Sequence, residues 1–277
     1  MISAADRAPV ALPGDWEVSL LDPFGVALEC DLSGPLSSQA QAALVALVDR
    51  HGIVVVRKQQ LTLEQHRRLL APLGRIEQYD LEYVALDDGV LNRDAMAYHS
   101  DFAYAHTPYK NLSLHAVEIE GESCTRFANG ARAYQRLTPD QQKKLAPLTT
   151  TAVSAEHTHR GIGYDPPEGV PTAIRAAVIY HHRSAQPILY VNESQHARFN
   201  ELDRNASDAL LEELFAILYR PDSIFTHHWS TGDLLIWDNL ALQHGRPALN
   251  DLGRRNLQRV SVADVGGGDM LPGFLSL

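Results

Sequence analysis

Two imidazoles and one carboxylate stand in two short segments of this sequence, His99-Ser100-Asp101 and Trp237-Asp238-Asn239-Leu240-Ala241-Leu242-Gln243-His244. Together they form the ligand set of a mononuclear non-haem iron site. If residues 98–105 form a strand, the side chains of His99 and Asp101 lie on one face and can bind a single ion, while Ser100 points away. Three such ligands leave three positions of an octahedral Fe(II) free, enough for a bidentate cosubstrate and dioxygen. The two segments therefore predict an oxygen-using enzyme.

Two arginines follow His244 on what the sequence predicts to be a terminal strand. Arg255 and Arg259 stand 11 and 15 residues after His244. An H-x-D pair alone is weak evidence, because short His/Asp pairs occur by chance. The order H-x-D, W-D-N-x-x-x-x-H and R-x-x-x-R is more specific. It resembles the TauD/TfdA family of Fe(II)- and 2-oxoglutarate-dependent dioxygenases, whose members include taurine dioxygenase. The resemblance runs from about residue 95 to residue 263, with weaker agreement in the first 80 residues.

The resemblance implies roles for five residues. His99, Asp101 and His244 are the expected catalytic Fe(II) ligands, and Arg255 and Thr125 are expected to bind the distal carboxylate of the cosubstrate 2-oxoglutarate, with dioxygen as the second cosubstrate. A guanidinium meets a carboxylate through two parallel charge-assisted hydrogen bonds, a geometry that lysine does not offer. The alternative for the two arginines is a solvated, basic strand end.

Substrate binding is expected to involve Arg259 and Tyr79. Arg259 lies four residues after Arg255, so on a strand the two side chains point to the same face. In relatives this position often meets an anionic group of the substrate, and burial of an unpaired guanidinium would be costly. The alternatives are that Arg259 supports Arg255 or pairs with an acid such as Asp238. Tyr79 falls near the sulfonate-binding histidine of the taurine enzyme.

The expected reaction is hydroxylation or another C–H oxidation that releases succinate and carbon dioxide. The related halogenases lack the carboxylate ligand, whereas Asp101 is present here. Tyr98 stands where the taurine enzyme has tryptophan, so taurine is not the expected substrate. A small carboxylate, an amino acid derivative or a natural-product intermediate, free or tethered to a carrier protein, fits the resemblance.

Composition and charge narrow the class of protein. The chain has 277 residues, 45% of them hydrophobic, and is expected to form one domain over residues 1–277. A net charge of −10 argues against a nucleic-acid partner. Cys30 and Cys124 form no C-x-x-C pattern, so neither a disulfide framework nor a zinc knuckle is expected. Residues 1–7 lack the apolar run of a signal peptide and no stretch is long enough to span a bilayer, which favours the cytoplasm without a membrane partner. Composition does not decide whether the chain forms a homo-oligomer.

The pattern of elements predicts a mainly β fold with flanking helices (α+β), a double-stranded β-helix or jelly roll. A helix is expected over residues 38–50, with Ser37 or Ser38 as its cap and Gly52 as its stop, and another over 207–219. Capping boxes at Thr62–Gln65 and Thr138–Gln141 predict two further helices, the first reaching about Leu73, that cover the outside of the sheet. Strands are expected at 53–56, 109–118, 177–182, 187–191, 223–229, 233–237 and 256–264.

Other histidines and two irregular segments are weaker candidates. Adjacent residues of a strand point to opposite faces, so the pairs His181-His182 and His227-His228 are not expected to bind one ion. His157 and His159 have suitable spacing but no nearby partner, and His115 is expected in the core. Residues 155–173 and 80–94 are candidate active-site covers, with plain surface loops as the alternative.

Two other functions use the same residues. A metal-dependent hydrolase could hold zinc with His99, Asp101 and His244 and activate water, but it would not need Arg255 at this spacing. A non-catalytic jelly roll that binds a metal or ligand is the second, since fold does not fix function.

Overall fold

The computed structural model describes residues 10–78, 81–85, 93–105, 108–154, 165–166, 168–249 and 253–263. The strands are β1 (Glu17–Leu20), β2 (Val26–Glu29), β3 (Ile53–Val56), β4 (Tyr83–Ala85), β5 (Met96–His99), β6 (Asn111–Ile119), β7 (Cys124–Asn129), β8 (Thr149–Val153), β9 (Thr172–Ala176), β10 (Val178–Tyr180), β11 (Pro187–Leu189), β12 (His196–Phe199), β13 (Phe225–His228), β14 (Leu234–Asp238), β15 (Leu242–Arg246) and β16 (Arg255–Val262). The helices are α1 (Ser38–His51), α2 (Leu63–Leu70), α3 (Gly130–Arg136), α4 (Pro139–Leu145) and α5 (Arg204–Leu218), with 3-10 turns at Ala71–Leu73 and Pro221–Ser223.

Two sheets of the described chain pack face to face. The major sheet has seven strands in the order β1-β2-β3-β14-β6-β16-β4, and the minor sheet has four in the order β13-β7-β15-β5. Neighbouring strands run antiparallel except for the parallel pair β2 and β3. A three-stranded sheet, β12-β8-β9, and the hairpin β10-β11 complete the described sheets. The prediction of a mainly β jelly roll with flanking helices is confirmed.

Strand β3 shows how the major sheet divides two apolar layers. Ile53 and Val55 join the core between the sheets, whereas Val54 and Val56 join the core under α1 and α2. A strand buried on both faces reads as a continuous apolar run, which is why the sequence predicted this strand correctly. The minor sheet contributes Phe127, Phe225 and Leu242 to the core between the two sheets.

The helix caps lie at residues that the sequence predicts. Ser37, of the two predicted candidates, caps α1 by accepting a hydrogen bond from the Ala40 N–H, and α1 ends at Gly52 with a positive φ of 79°. Both capping boxes are present, at Thr62 and at Thr138. Among the described helices, none is long and apolar enough to cross a membrane.

Helix α4 does not cover the outside of the major sheet, contrary to the prediction. Leu145 joins the apolar cluster of α5 instead, and the Gln141 side chain donates a hydrogen bond to Glu213 of α5 at 2.7 Å. Helix α5 presents a buried apolar face that includes Leu210 and Leu214, and Leu145 packs on this face rather than on the major sheet.

Several boundaries also differ from the prediction. Strand β5 ends at His99, so Asp101 lies in a turn and not on a strand over 98–105. Helix α2 ends at Leu70 and continues only as a 3-10 turn to Leu73. Helix α5 begins at Arg204, before the expected start, because Asp203 accepts the capping hydrogen bond. Tyr79 and most of the two candidate covers, 80–94 and 155–173, lie outside the described residues.

Candidate active site

The three predicted metal ligands meet at the edge of the minor sheet. Strands β5 and β15 are paired neighbours, and His99 lies directly opposite His244 in their register. The Asp101 Oδ1 atom is 3.2 Å from His99 Nε2 and 3.7 Å from His244 Nε2. One ligand atom from each of the three residues lies within 4.8 Å of the others. The structure therefore brings together residues that are far apart in the chain, as the sequence predicted.

Asp101 reaches the two imidazoles from a turn. The Asn239 side chain holds the backbone of that turn: its oxygen accepts from the Asp101 N–H and its nitrogen donates to the Asp101 carbonyl, both at 3.0 Å. Asn239 is fully buried, with 0% of its surface exposed. The sequence interpretation placed Asp101 two residues after His99 on a strand face, and it did not single out Asn239.

The surroundings of the two imidazoles shift their pKa values in opposite directions. The carbonyl of Ala97 lies 3.0 Å from His99 Nδ1 and can only accept, so Nδ1 donates to it and Nε2 is the nitrogen that faces Asp101. Burial alone would lower the pKa of His99, but the hydrogen bond and charge of Asp101 outweigh burial and raise it. Burial and the neighbouring His99 lower the pKa of His244 to about 3.

The carboxylate of Asp101 stays ionised. Burial would raise the pKa of Asp101, but the Arg259 guanidinium and the two imidazoles hold it well below its usual range. A deprotonated carboxylate and a neutral imidazole are the forms that bind a metal ion. The donor set and its charges therefore fit a divalent metal that prefers nitrogen and oxygen ligands.

A cavity of about 160 Å³ opens beside the triad, between the two sheets. Besides the triad it is lined by Val84, Met96, Leu114, Thr125, Trp237, Gly245, Arg246, Arg255 and Arg259. A larger groove of about 420 Å³ lies near His181 and Asp238, and none of the predicted site residues lines it. Since the ligands of the predicted chemistry converge on the smaller cavity, we take that cavity as the candidate site.

Arg255 is a buried lining residue of this cavity. Only 4% of its surface is exposed, and its Nε donates to Ser123 Oγ at 3.0 Å. Its Nη1 has no hydrogen-bond partner among the residues that the structure describes. Burial, with the nearby Arg246, lowers the pKa of Arg255 to about 10, so the guanidinium is charged at neutral pH. A buried cation with a spare N–H is a fitting receptor for a carboxylate.

Thr125 lines the same cavity with an oriented hydroxyl. The Trp229 indole N–H donates to Thr125 Oγ1 at 2.9 Å, which leaves the hydroxyl proton of Thr125 for another acceptor. The sequence interpretation missed Ser123, Trp229 and Arg246. Ser123 could have been found, because it stands two residues before Thr125, a spacing that puts two strand residues on one face.

Arg259 lies on the same side of β16 as Arg255, as predicted, and both line the cavity. Its Nη2 donates to Asp101 Oδ2 at 2.5 Å. The pairing with Asp238 that the sequence left open is wrong: Asp238 accepts from the backbone N–H groups of Leu240 and Ala241. The two oxygens of Asp101 therefore have separate partners, since Oδ1 faces the imidazoles and Oδ2 faces Arg259.

Three other described histidines that the sequence singled out have structural contacts, namely His115, His181 and His227. On β13, His227 is buried and His228 is exposed, as expected for opposite faces of a strand. His181 and His182 lie after the end of β10, and there too the first is buried and the second exposed. His181 Nε2 lies 3.2 Å from Asp238 and His227 Nε2 lies 3.0 Å from Asp233. His115 is buried as expected, with Nε2 3.1 Å from the Gln59 carbonyl. His157 and His159 lie outside the described residues.

Curated proteins with similar sequences include dioxygenases and synthases, as their names state. Pentalenolactone F synthase of Streptomyces avermitilis is 26% identical over 196 residues, which cover 62% of each chain. The chain thus spans less than two thirds of the length of this relative. The 2-oxoglutarate-dependent 2,4-dichlorophenoxyacetate dioxygenase of Cupriavidus pinatubonensis is 25% identical over 268 residues, covering 85% of this chain and 93% of the relative.

Solved structures share the fold. A taurine dioxygenase from Burkholderia xenovorans superposes with a TM-score of 0.79 and 24% identity, covering 91% of this chain and 92% of the other. AAD-2, solved with Mn(II) and N-oxalylglycine, gives a TM-score of 0.78 at 20% identity, with coverage of 91% and 98%. The family model described as taurine catabolism dioxygenase TauD, TfdA family, matches residues 17–261. Since this match includes most of the chain and all three candidate ligands, the chain belongs to the TauD/TfdA family of dioxygenases.

Proposed function

We propose that the protein is an Fe(II)- and 2-oxoglutarate-dependent dioxygenase that oxidises a C–H bond of a small organic anion and releases succinate and carbon dioxide. The observation that carries this proposal is the shared cavity. It holds the His99, Asp101 and His244 triad together with Arg255, a buried guanidinium whose Nη1 has no hydrogen-bond partner in the described part of the chain. A hydrolase would use the triad to hold its metal, but its reaction has no cosubstrate whose carboxylate Arg255 would bind. A non-catalytic binding protein needs no cosubstrate site either.

The triad would hold Fe(II) through His99 Nε2, His244 Nε2 and one oxygen of Asp101. Together with 2-oxoglutarate, this metal supplies the oxidative decarboxylation that activates dioxygen for C–H oxidation. The chain itself orients the ligands. The Ala97 carbonyl fixes the tautomer of His99, and Arg259 holds the second oxygen of Asp101 away from the imidazoles.

Arg255 and Thr125 would bind the distal carboxylate of 2-oxoglutarate. Ser123 accepts from Arg255 Nε, which fixes the plane of the guanidinium and leaves Nη1 to donate to the incoming carboxylate. Trp229 occupies an acceptor position of Thr125 Oγ1, so the Thr125 hydroxyl is turned into a donor. A carboxylate can accept both hydrogen bonds, and its charge would compensate that of the buried arginine.

The charge of the cavity favours an anionic substrate. Its described lining includes three arginines, Arg246, Arg255 and Arg259, and one carboxylate, Asp101. Asp94 interacts electrostatically with Arg246 and offsets part of its charge. A metal dication and a 2-oxoglutarate dianion would cancel each other, so a positive excess remains. Because Arg259 already pairs with Asp101, its burial alone does not require a substrate anion. The proposal that Arg259 reads a substrate anion therefore rests on this charge balance, with the guanidinium shared between Asp101 and the substrate.

The test uses the wild-type protein under anaerobic conditions, so that it does not depend on knowing the substrate. Fe(II) and 2-oxoglutarate should together produce a weak visible charge-transfer band, and admission of air should give oxygen consumption and succinate. His99→Ala, Asp101→Ala and His244→Ala should each abolish the band, because two ligands hold the metal poorly. His228→Ala, at an exposed histidine of β13, is the matched control and should keep it. A colourless protein with metal and 2-oxoglutarate both bound would contradict the proposal.

A further inference from the structure

The backbone at Asp101, the candidate carboxylate ligand, does not belong to a strand. Strand β5 ends at His99, and Asp101 lies in the turn that follows. Strand pairing fixes the backbones at His99 and His244, but it does not fix the backbone at Asp101. Something else must hold this turn if the three ligand atoms are to stay within 4.8 Å of one another.

Asn239 supplies this connection. Its side-chain oxygen accepts from the Asp101 N–H at 3.0 Å, and its side-chain nitrogen donates to the carbonyls of Asp101 at 3.0 Å and Tyr109 at 2.8 Å. Asn239 itself sits in the turn between β14 and β15, five residues before His244, and its own N–H donates to the Lys110 carbonyl at 2.8 Å. The side-chain amide of Asn239 thus joins the turn of Asp101 to the segment that leads into His244.

Burial makes this connection stiff. Asn239 has 0% of its surface exposed, so water cannot replace the hydrogen bonds of its side chain without a rearrangement of the turn. The side-chain end of Asp101 is held separately, by Arg259. The turn has one backbone hydrogen bond of its own, from the Ala103 N–H to the Ser100 carbonyl at 3.2 Å. Beyond this bond, Asn239 holds the Asp101 backbone and Arg259 holds its side chain.

We propose that Asn239 is a positioning residue, which fixes the Asp101 turn relative to His244 and so preorganises the metal site. The proposal rests on the proposed function only in that the triad binds a divalent metal. Asn239 is not one of the three candidate ligands and does not line the cavity. It acts through the Asp101 backbone, as outer partners of metal ligands do elsewhere.

The experiment is a Co(II) titration of metal-free protein, followed by the ligand-field absorption of the bound ion. Loss of an outer partner of this kind costs roughly 10- to 100-fold in metal affinity, so Asn239→Ala should raise the Kd for Co(II) by about that factor and change the intensity of the absorption bands. Asn239→Ser, which keeps one hydrogen-bonding group, should lie between Asn239→Ala and wild type.

Ser207→Ala is the matched control. Ser207 is also fully buried and its hydroxyl also bonds to backbone, accepting from the Phe199 N–H at 2.9 Å, but it lies in α5. This variant should lose thermal stability while it keeps the Co(II) affinity and spectrum of wild type. The comparison separates a general loss of stability from an effect on the metal site.

A folded Asn239→Ala protein with a Co(II) Kd within twofold of wild type and an unchanged spectrum would overturn the proposal. Failure of both Asn239 variants to fold would overturn it as well, because the residue would then serve the fold at large. If wild type does not bind Co(II), or if His99→Ala binds it equally well, the proposed function fails instead.

Discussion

Arg255 should contribute more to cosubstrate binding than any other single side chain of the cavity. Arg255→Lys keeps the charge but loses the paired hydrogen bonds of the guanidinium, at a cost on the order of 1.5–3 kcal/mol. The Kd for 2-oxoglutarate should therefore rise roughly 10- to 100-fold, as measured by anaerobic titration of the Fe(II)-loaded protein. Arg254→Lys is the control, because the neighbouring Arg254 side chain is 64% exposed and pairs with Glu118. An unchanged Kd for Arg255→Lys would place the carboxylate receptor elsewhere.

Thr125→Val should have a milder effect on the same titration. One neutral hydrogen bond is worth about 1 kcal/mol, so the Kd for 2-oxoglutarate should rise about fivefold. The substitution also removes the acceptor of the buried Trp229 N–H, and the free energy of unfolding should fall by about 1–3 kcal/mol. Thr226→Val, at a half-buried threonine of β13, should change neither quantity to this extent. A loss of stability with an unaltered Kd would limit Thr125 to a structural role.

At the level of single residues, the sequence predicted the ligands but not their partners. His99, Asp101, His244 and Arg255 could be recognised because their types and spacings suffice to suggest the chemistry. Asn239 bonds Asp101 across 138 positions of the chain and Trp229 bonds Thr125 across 104, and no local pattern encodes such pairs. They follow from the way the strands are brought together.

Among the elements, the sequence predicted best those whose own residues determine the conformation. The apolar run of β3 and the capping box of α2 are of this kind. Strand β15, Leu-Gln-His-Gly-Arg, was not predicted, because its residues have weak strand preference. Its conformation depends on pairing with β7 and β5, and such tertiary context overrides propensity.

Gly245 shows how tightly β15 and β5 approach each other at the metal site. A Cβ atom at Gly245 would lie 2.7 Å from the Met96 carbonyl oxygen and 3.3 Å from both the Ala97 carbonyl carbon and the Tyr98 nitrogen. Gly245→Ala must therefore push β5 away and shift His99 relative to His244. We expect a loss of about 1–3 kcal/mol in the free energy of unfolding, with a higher Kd for Co(II).

The control for Gly245→Ala is Gly34→Ala. A Cβ atom at Gly34 would meet nothing within 4 Å, so this variant should stay within about 0.5 kcal/mol of wild type and keep its metal affinity. Urea unfolding and Co(II) titration measure the two effects. Wild-type values of both for Gly245→Ala would show that the strands can separate without disturbing the ligands.

In the molecule as a whole, the site depends on both sheets at once. The two candidate histidine ligands lie on β5 and β15 of the minor sheet and Asp101 lies in the turn after β5, whereas Arg255 and Arg259 come from β16 of the major sheet. The sequence predicted a jelly roll, but it could not show which strands face each other, because that choice is made by packing across the whole core. It also could not show that a chain with a net charge of −10 gathers three arginines in one cavity.

This contrast between the charge of the chain and that of the cavity leads to a prediction about substrates. An anionic compound gains little from the acidic molecule at a distance, where salt screens the interaction, but it meets a positive excess inside the cavity. Carboxylic acids should therefore stimulate succinate release at least tenfold more strongly than their neutral amides, since one charge-assisted hydrogen bond contributes about 1.5–3 kcal/mol. The comparison uses wild-type protein, because Arg259→Gln would also remove the hydrogen bond that Arg259 donates to Asp101. A panel of matched acids and amides at one ionic strength gives the measurement, and equal stimulation by both would remove the anion-reading role of Arg259.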